Sequence, residues 1–317
     1  MVTLPLRIAF FGTPDFAVPT LERLIGSRHD VVATISQPDR PSGRGQKLHP
    51  TPTKAVAMAA GVAVLQPERI RDEGFLRAVD EMRLDLGVVA AYGRILPDSL
   101  LSSPRLGMVN VHASILPDYR GAAPVHRAVI DGRDETGVTI MRVVRELDAG
   151  AMLAVVRRAI GGNETSVEVE RGLADLGASL LLDVVEQLAQ GTATETPQDD
   201  HRATYAHKIQ KAEGAIDWTL PASRIHNLVR GLQPWPLVSG RIDGRRLIVH
   251  RTELSDVRTE AQGGTVIEAV GDTLLVAGGD RRAVRVLQIQ PEGKRAMSAR
   301  ELLAGNPIRV GARFAAG

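Results

Sequence analysis

No cysteine occurs among the 317 residues. That absence excludes a disulfide framework, a thiolate nucleophile and a cysteine-built zinc site together, so any catalysis must use other side chains. A cysteine-free chain fits the cytoplasm, which is the expected location. Aromatic residues are scarce, at 3%. No apolar run approaches the roughly 18 residues of a membrane span, and no membrane association is expected. Met1 to Gly12 is a short apolar run without the basic opening or small-residue cleavage site of a secretory signal, and it reads as a first strand. The eight histidines are scattered without His-Glu-x-x-His spacing, and no metal is expected.

What is present is ordinary for a globular chain. Hydrophobic residues make up 44% and charged residues 24%, which excludes disorder for most of the length. The length suggests about two domains of roughly 100–200 residues each. The net charge of +2 hides an asymmetry: residues 1–207 hold 22 basic and 26 acidic residues, while residues 208–317 hold 17 basic and 11 acidic. The C-terminal part is therefore a basic module behind a mildly acidic one. Such a division suits a polyanionic partner, although chance clustering in an arginine-rich chain produces the same numbers.

Through the first half, apolar runs alternate with helical patterns. Strand-like runs are Arg7–Phe11, Val31–Ser36, Val62–Leu65, Asp85–Ala91, Met108–Val111, Val138–Val144 and Met152–Ala159. Between them Lys54–Ala60, Phe75–Met82 and Ala123–Ile130 have helical spacing, as does the long stretch Val167–Leu188, and Gly12-Thr13-Pro14-Asp15 can cap a helix beginning near Phe16. The alternation predicts an α/β, Rossmann-like, mostly parallel sheet with helices on both faces, and an antiparallel portion at Val138–Ala159. Gln190–His207 is polar and aperiodic and reads as a linker. Beyond it a helix at Ile225, Leu228, Val229 and Leu232 precedes five short β-rich runs: Leu237–Ile242, Arg246–His250, Thr265–Val270, Thr273–Ala277 and Val284–Ile289. Ser298-Ala299-Arg300-Glu301 has capping-box spacing before a last helix. These elements suggest a small barrel of the OB type. The expected domains are 1–189, a linker at 190–207, and 208–317.

Asn110 and His112 stand two apart at the end of an apolar strand, so both face one side. Open α/β sheets bind ligands at that end. An amide can donate to a developing oxyanion, and an imidazole can donate or exchange a proton. Alone, the pair is weak, because a histidine after an apolar strand is more often structural than catalytic. The next segment, Ser114 to Pro124, is made rigid by two prolines and a glycine, as in many binding loops. Asp148, beside Gly150 between two strand-like runs, is the natural acidic partner for the pair, or a simple turn residue.

Asn110-Val111-His112-Ala113-Ser114-Ile115-Leu116-Pro117, followed by Arg120-Gly121-Ala122-Ala123-Pro124, resembles the signature of formyltransferases that use 10-formyltetrahydrofolate. Phe11-Gly12-Thr13-Pro14-Asp15-Phe16 and Gln37-Pro38-Asp39-Arg40-Pro41 narrow the resemblance to the branch that acts on methionyl initiator tRNA. Ile216-Asp217-Trp218, Pro234-Trp235-Pro236 and Gln290-Pro291-Glu292-Gly293-Lys294 extend it over nearly the whole chain. The resemblance implies Asn110, His112 and Asp148 as the catalytic centre, and folate contacts at Ser114, Ile115, Leu116 and Pro117 and along Arg94-Ile95-Leu96. Ile115 stands where leucine is usual, a volume-conserving change. Ala149 and Ala151 depart from the family's residues around the aspartate.

The implied donor is 10-formyltetrahydrofolate, as a cosubstrate, and the implied acceptor is the methionyl α-amine. That amine is itself the nucleophile, so a missing cysteine is no obstacle. Gln37–Lys54 carries Arg40, Arg44, Lys47 and Lys54 against Asp39, with prolines that block regular structure and glycines around Arg44. By composition this is a solvated loop; by resemblance it is the loop that enters the acceptor end of the tRNA, with Arg40, Arg44 and Lys47 as contacts and Gln46 in place of a common basic residue. The basic C-terminal module would then hold the acceptor stem, and a monomer is expected. Sugar-nucleotide and glycinamide-ribonucleotide formyltransferases share the Asn/His/Asp centre but need no basic barrel. A non-catalytic RNA-binding module would not need that centre.

Overall fold

The computed structural model describes residues 4–42 and 47–316. Two compact units form, each assembled from three stretches of chain. One comprises Met1–Ala122, Thr136–Arg158 and Glu170–Ala206; the other comprises Ala123–Glu135, Ala159–Val169 and His207–Gly317.

The first unit is built on a seven-stranded sheet. Its strands are β1 (Arg7–Gly12), β2 (Asp30–Ile35), β3 (Ala63–Leu65), β4 (Leu86–Ala90), β5 (Met108–His112), β6 (Glu135–Arg142) and β7 (Met152–Ala159), in the order β7-β6-β5-β4-β1-β2-β3. The pairings from β3 across to β5 are parallel, and β6 runs antiparallel to β5. The antiparallel portion expected near Val138 is therefore present, and it begins at the β5–β6 seam. Burial explains the apolar runs. Ile8, Ala9, Phe10 and Phe11 of β1 are all buried, as a central parallel strand covered on both faces requires. Ala9 and Phe11 join Phe75 and Val79 of the helix Glu73–Glu81 in one apolar cluster, where Phe11 meets Tyr92 edge-on with ring centres 5.7 Å apart. Edge strand β7 alternates in burial instead.

Local signals place the helix starts. Thr51 caps Pro52–Ala59 and Asp72 caps Glu73–Glu81, each accepting from a backbone N–H three residues on. The helix expected near Phe16 begins later: a 3-10 turn at Asp15–Ala17 intervenes, and the α-helix runs Val18–Ile25 with Pro19 in its first turn. The proline-rich stretch after β2 is more regular than its composition suggests. Arg40–Ser42 pairs antiparallel with Lys47–His49, because a two-stranded ribbon at an edge tolerates a proline that a central strand would not.

In the second unit a helix, Ala222–Gly231, packs on antiparallel strands β8 (Val238–Ile242), β9 (Arg245–Arg258), β10 (Val266–Val270), β11 (Thr273–Ala277) and β12 (Arg282–Pro291), ordered β10-β11-β12-β9-β8. β9 is much longer than the run Arg246–His250, because register shifts let it bend while staying paired with β12. The chain end closes the ring. Ala315 and Ala316 pair with β8, while Val266 N–H donates to Ala312 O and Phe314 N–H to Gly264 O at the β10 edge. A sheet paired around its circumference has no open edge and is a barrel. Trp218 and Phe314 pack within its core with ring centres 5.2 Å apart and planes tilted by 39°. Before the last helix, Ala299–Gly305, Ser298 and Glu301 form the capping box its sequence predicts.

Candidate active site

The C-terminal ends of β1, β2, β4 and β5 lie along one edge of the sheet. β5 carries Asn110 and His112, and its antiparallel pairing sets Asn110 opposite Met141 and His112 opposite Thr139 of β6. Asn110 is half-buried, and among the described residues its amide has no hydrogen-bond partner. Its donor is free for a ligand. His112 is buried. Its Nε2 lies 3.1 Å from the carbonyl of Tyr119. A carbonyl only accepts, so Nε2 carries a hydrogen. Nδ1 then faces Asp148 Oδ2 at 3.7 Å, beyond a direct hydrogen bond but close enough for an ion pair when Nδ1 also holds a proton.

Asp148 is fixed by its surroundings. Its φ is +50°, a left-handed conformation that aspartate tolerates better than most residues. Its Oδ2 accepts from Gly121 N–H at 2.9 Å. Gly150 has to be glycine, since a Cβ there would lie 2.0 Å from Arg142 O. Gly121, at φ +118°, likewise presses against Ala206 O, 2.9 Å from where its Cβ would be. Ala149 and Ala151 flank this turn without side-chain hydrogen bonds of their own.

The loop after β5 is stapled from within. Ser114 Oγ donates to Asp118 O at 2.6 Å, Thr139 Oγ1 donates to Ser114 O at 2.7 Å, and Leu116 N–H donates to Thr139 Oγ1 at 3.1 Å. The Leu116–Pro117 peptide is cis. The Ser114 hydroxyl is thus spent on loop geometry, and Leu116 is buried while Ile115 and Pro117 are half-buried. Arg94-Ile95-Leu96 follows β4, the parallel neighbour of β5. There Arg94 donates to the carbonyls of Pro67 and Glu68, Leu96 is buried, and Ile95 is 75% exposed. Ile95 is therefore the one apolar member of that segment open to solvent.

A cavity of about 460 Å³ opens on the same edge, lined by Thr13, Pro14, Gln37, Arg40, Thr51 and Ala91 among others. It sits at the ends of β1, β2 and β4, with β5 next in the sheet. Asn110, His112 and Asp148 do not line it. The exposed Arg40 does, and so connects the basic hairpin to the site edge. Arg44 lies outside the described residues, as does the side chain of Lys47. The hairpin's base is held by a buried-edge network. Lys54 Nζ donates to Asp39 Oδ2 at 2.6 Å and to Gln66 Oε1 at 2.7 Å, and Gln66 Nε2 donates to Asp39 Oδ1 at 2.7 Å. Hydrogen bonds from Lys54 and then Gln66 hold the Asp39 carboxyl below its usual range. Among the described residues, no group of three or more His, Asp or Glu side chains is placed to hold a metal ion.

The polar stretch 190–207 carries structure that composition concealed. Tyr205–Ala206 pairs with Arg120–Gly121, Thr204 Oγ1 accepts from Tyr119 N–H at 2.8 Å, and Thr196 bridges to Met152. Gln198 bonds both Arg120 and the Asp148 turn. None of these residues has periodicity or a motif that would mark it in sequence. Only the pairing shows their place.

The sequence matches the Formyl transferase family over residues 6–185 and the family's C-terminal domain over residues 208–307. The chain belongs to the formyl transferase family. Within that family it is 43% identical over 309 residues to the methionyl-tRNA formyltransferase of Halalkalibacterium halodurans, covering 96% of this chain and 97% of that protein. With the Bacillus licheniformis protein of the same name it shares 40% over 308 residues, 97% of one chain and 98% of the other. Among solved structures, the N-formyltransferase of Helicobacter canadensis, in complex with folinic acid and dTDP-3-aminofucose, has a TM-score of 0.69 at 18% identity, over 90% of this chain and 99% of that one. HypX of Aquifex aeolicus, in complex with tetrahydrofolic acid, has a TM-score of 0.65 at 15% identity, over 94% and 47%. At such identities these two structures establish a shared fold. Formyl transferase membership agrees with both units, the α/β sheet and the C-terminal barrel.

Proposed function

We infer that this chain transfers the formyl group of 10-formyltetrahydrofolate to the α-amino group of methionyl initiator tRNA, as a cytoplasmic enzyme of translation initiation. What supports the chemistry is that Asn110, whose amide has no partner among the described residues, stands two residues from His112 on β5, and that His112 Nδ1 lies 3.7 Å from Asp148 Oδ2. Identity of 40–43% along nearly the whole chain, barrel included, to methionyl-tRNA formyltransferases supports the acceptor.

The amine supplies the nucleophile. With a pKa of about 7.7–8.0, roughly a tenth of an α-amino group is neutral at pH 7. Its nitrogen bonds to the formyl carbon, the carbonyl electrons move to oxygen, and collapse of the tetrahedral intermediate breaks the bond to the folate nitrogen. The proton lost by the amine ends on that leaving nitrogen. Asn110 donates to the oxyanion, a contribution of about 2.7–4 kcal/mol for one preorganised donor. His112, held at Nε2 by Tyr119 O, presents Nδ1 toward Asp148, and the pair can hold the travelling proton. The exposed Ile95 and the loop Ser114–Pro117 would border the pteridine. Arg40, Arg44, Lys47 and the basic residues of 208–317 would meet the tRNA.

The test is formylation of methionyl initiator tRNA with 10-formyltetrahydrofolate, beside elongator methionyl-tRNA and an amino-sugar nucleotide. Transfer confined to the initiator is expected. Transfer to the sugar nucleotide instead would reassign the acceptor, and no transfer to any would refute the enzyme.

A further inference from the structure

Gln198 sits in the polar stretch between the helix Ser166–Gln190 and the barrel, yet both ends of its amide are spent on the site edge. Its Nε2 donates to Asp148 O at 2.9 Å and to Gly150 O at 2.8 Å. Its Oε1 accepts from Arg120 Nε at 3.0 Å and from a terminal guanidinium nitrogen at 2.8 Å. The Arg120 side chain is buried, with Asp200 as its ionic partner at 2.6 Å. Arg120 immediately precedes Gly121, whose N–H donates to Asp148 Oδ2. The carboxylate is therefore held on two sides, and one amide spans both: its donors grip the peptide of the turn, and its oxygen grips the residue beside the amide that binds the carboxylate.

We propose that Gln198 is a positioning residue that locks the Asp148 turn to Arg120–Gly121 and so sets the separation between Asp148 and His112. The need for a lock is visible in the backbone, because Asp148 occupies a left-handed conformation that persists in a non-glycine residue when its surroundings impose it. The competing explanation is structural only: Gln198 satisfies a buried guanidinium, and the turn would hold without it. The two differ in which half of the amide matters.

The proposal rests on the formyl-transfer reading, and Gln198→Glu separates the two explanations. A carboxylate keeps the acceptor for Arg120 but offers no donor to the two carbonyls. For Gln198→Glu we expect a melting temperature at or above wild type, kcat lowered about 10- to 100-fold, as for a catalytic group displaced by about an ångström, and KM for both substrates unchanged within about twofold. Gln198→Ala should lose kcat equally and melt lower. Near-wild-type kcat in Gln198→Glu would overturn the proposal, as would a loss expressed wholly in KM. A second readout needs no turnover. The His112 ring is titrated by NMR in wild type and in Gln198→Ala, which adds no charge. A moved midpoint supports the lock and coincident curves overturn it. An inactive wild type with a moved midpoint would refute the assigned reaction while leaving the lock intact.

Discussion

Alanine at Asn110, His112 or Asp148 removes a different element of the site in each case. Asn110→Ala deletes the unpartnered amide proposed to donate to the oxyanion. His112→Ala deletes the ring that Tyr119 O orients, and Asp148→Ala the carboxylate that faces Nδ1. Each should lower kcat at least about 100-fold in the formylation assay, the low end for such groups. Near-wild-type turnover in any one variant would remove that residue from the mechanism. Gly150 makes a prediction about backbone rather than chemistry. The 2.0 Å approach of its absent Cβ to Arg142 O leaves Gly150→Ala no conformation that keeps the Asp148 turn, so both thermal stability and kcat should fall. Unchanged melting and turnover would show that the turn can relax.

Among the elements, the start of the long helix Ser166–Gln190 has a measurable pH signature. Thr165 N–H donates to Glu168 Oε2 at 2.8 Å, Glu168 N–H donates to Thr165 Oγ1 at 3.3 Å, and Arg251 meets Oε1 at 2.6 Å. The Thr165 backbone first, and then Arg251, hold the Glu168 carboxyl down to about 2, against 4.5 ordinarily. A carboxyl depressed in the folded state stabilises the fold above its unfolded pKa and loses that contribution as pH falls. Wild type should therefore be more stable than Glu168→Gln at pH 7, with the gap closing between about pH 4.5 and 2 in urea melts. A gap independent of pH would contradict the assignment.

The hairpin Arg40–Ser42/Lys47–His49 is a second element with a testable anchor. Lys54→Met would remove the cation that Asp39 and Gln66 share. Loss of the anchor should raise KM for the tRNA several-fold while leaving kcat within about twofold, because the network holds the hairpin rather than reacting atoms. Both elements were half-legible in sequence. Proline and charge announced a special segment after Gln37, but the ribbon pairing depends on Asp39, Lys54 and Gln66 converging, and they are separated in the chain.

For the whole molecule, the excess of 17 basic over 11 acidic residues in 208–317 predicts salt-sensitive association with tRNA. A few phosphate contacts would raise Kd at least about tenfold between 50 and 200 mM salt. An affinity indifferent to ionic strength would deny the barrel an electrostatic role. The scarce aromatics are used economically: Phe10, Phe11, Tyr92, Trp218 and Phe314 are buried in the two units, while Tyr205 and Trp235 are more than half exposed.

Sequence by itself determined the α/β class and the main strands and helices of both units, because period and turn chemistry are local properties that each segment carries alone. It also supplied Asn110 and His112 as a same-side pair, since strand geometry guarantees that spacing. Tertiary structure alone decided which groups reach them. Asp148 lies 3.7 Å from His112 across a long separation in the chain. Gln198, in a stretch whose composition reads as a linker, is bonded to that same turn. Ser114 turned out to spend its hydroxyl within its own loop. Local sequence encodes the direction in which a backbone presents its side chains. Which distant side chains meet depends on how the sheet edge and its covering loops close, a long-range result of packing that no short window contains.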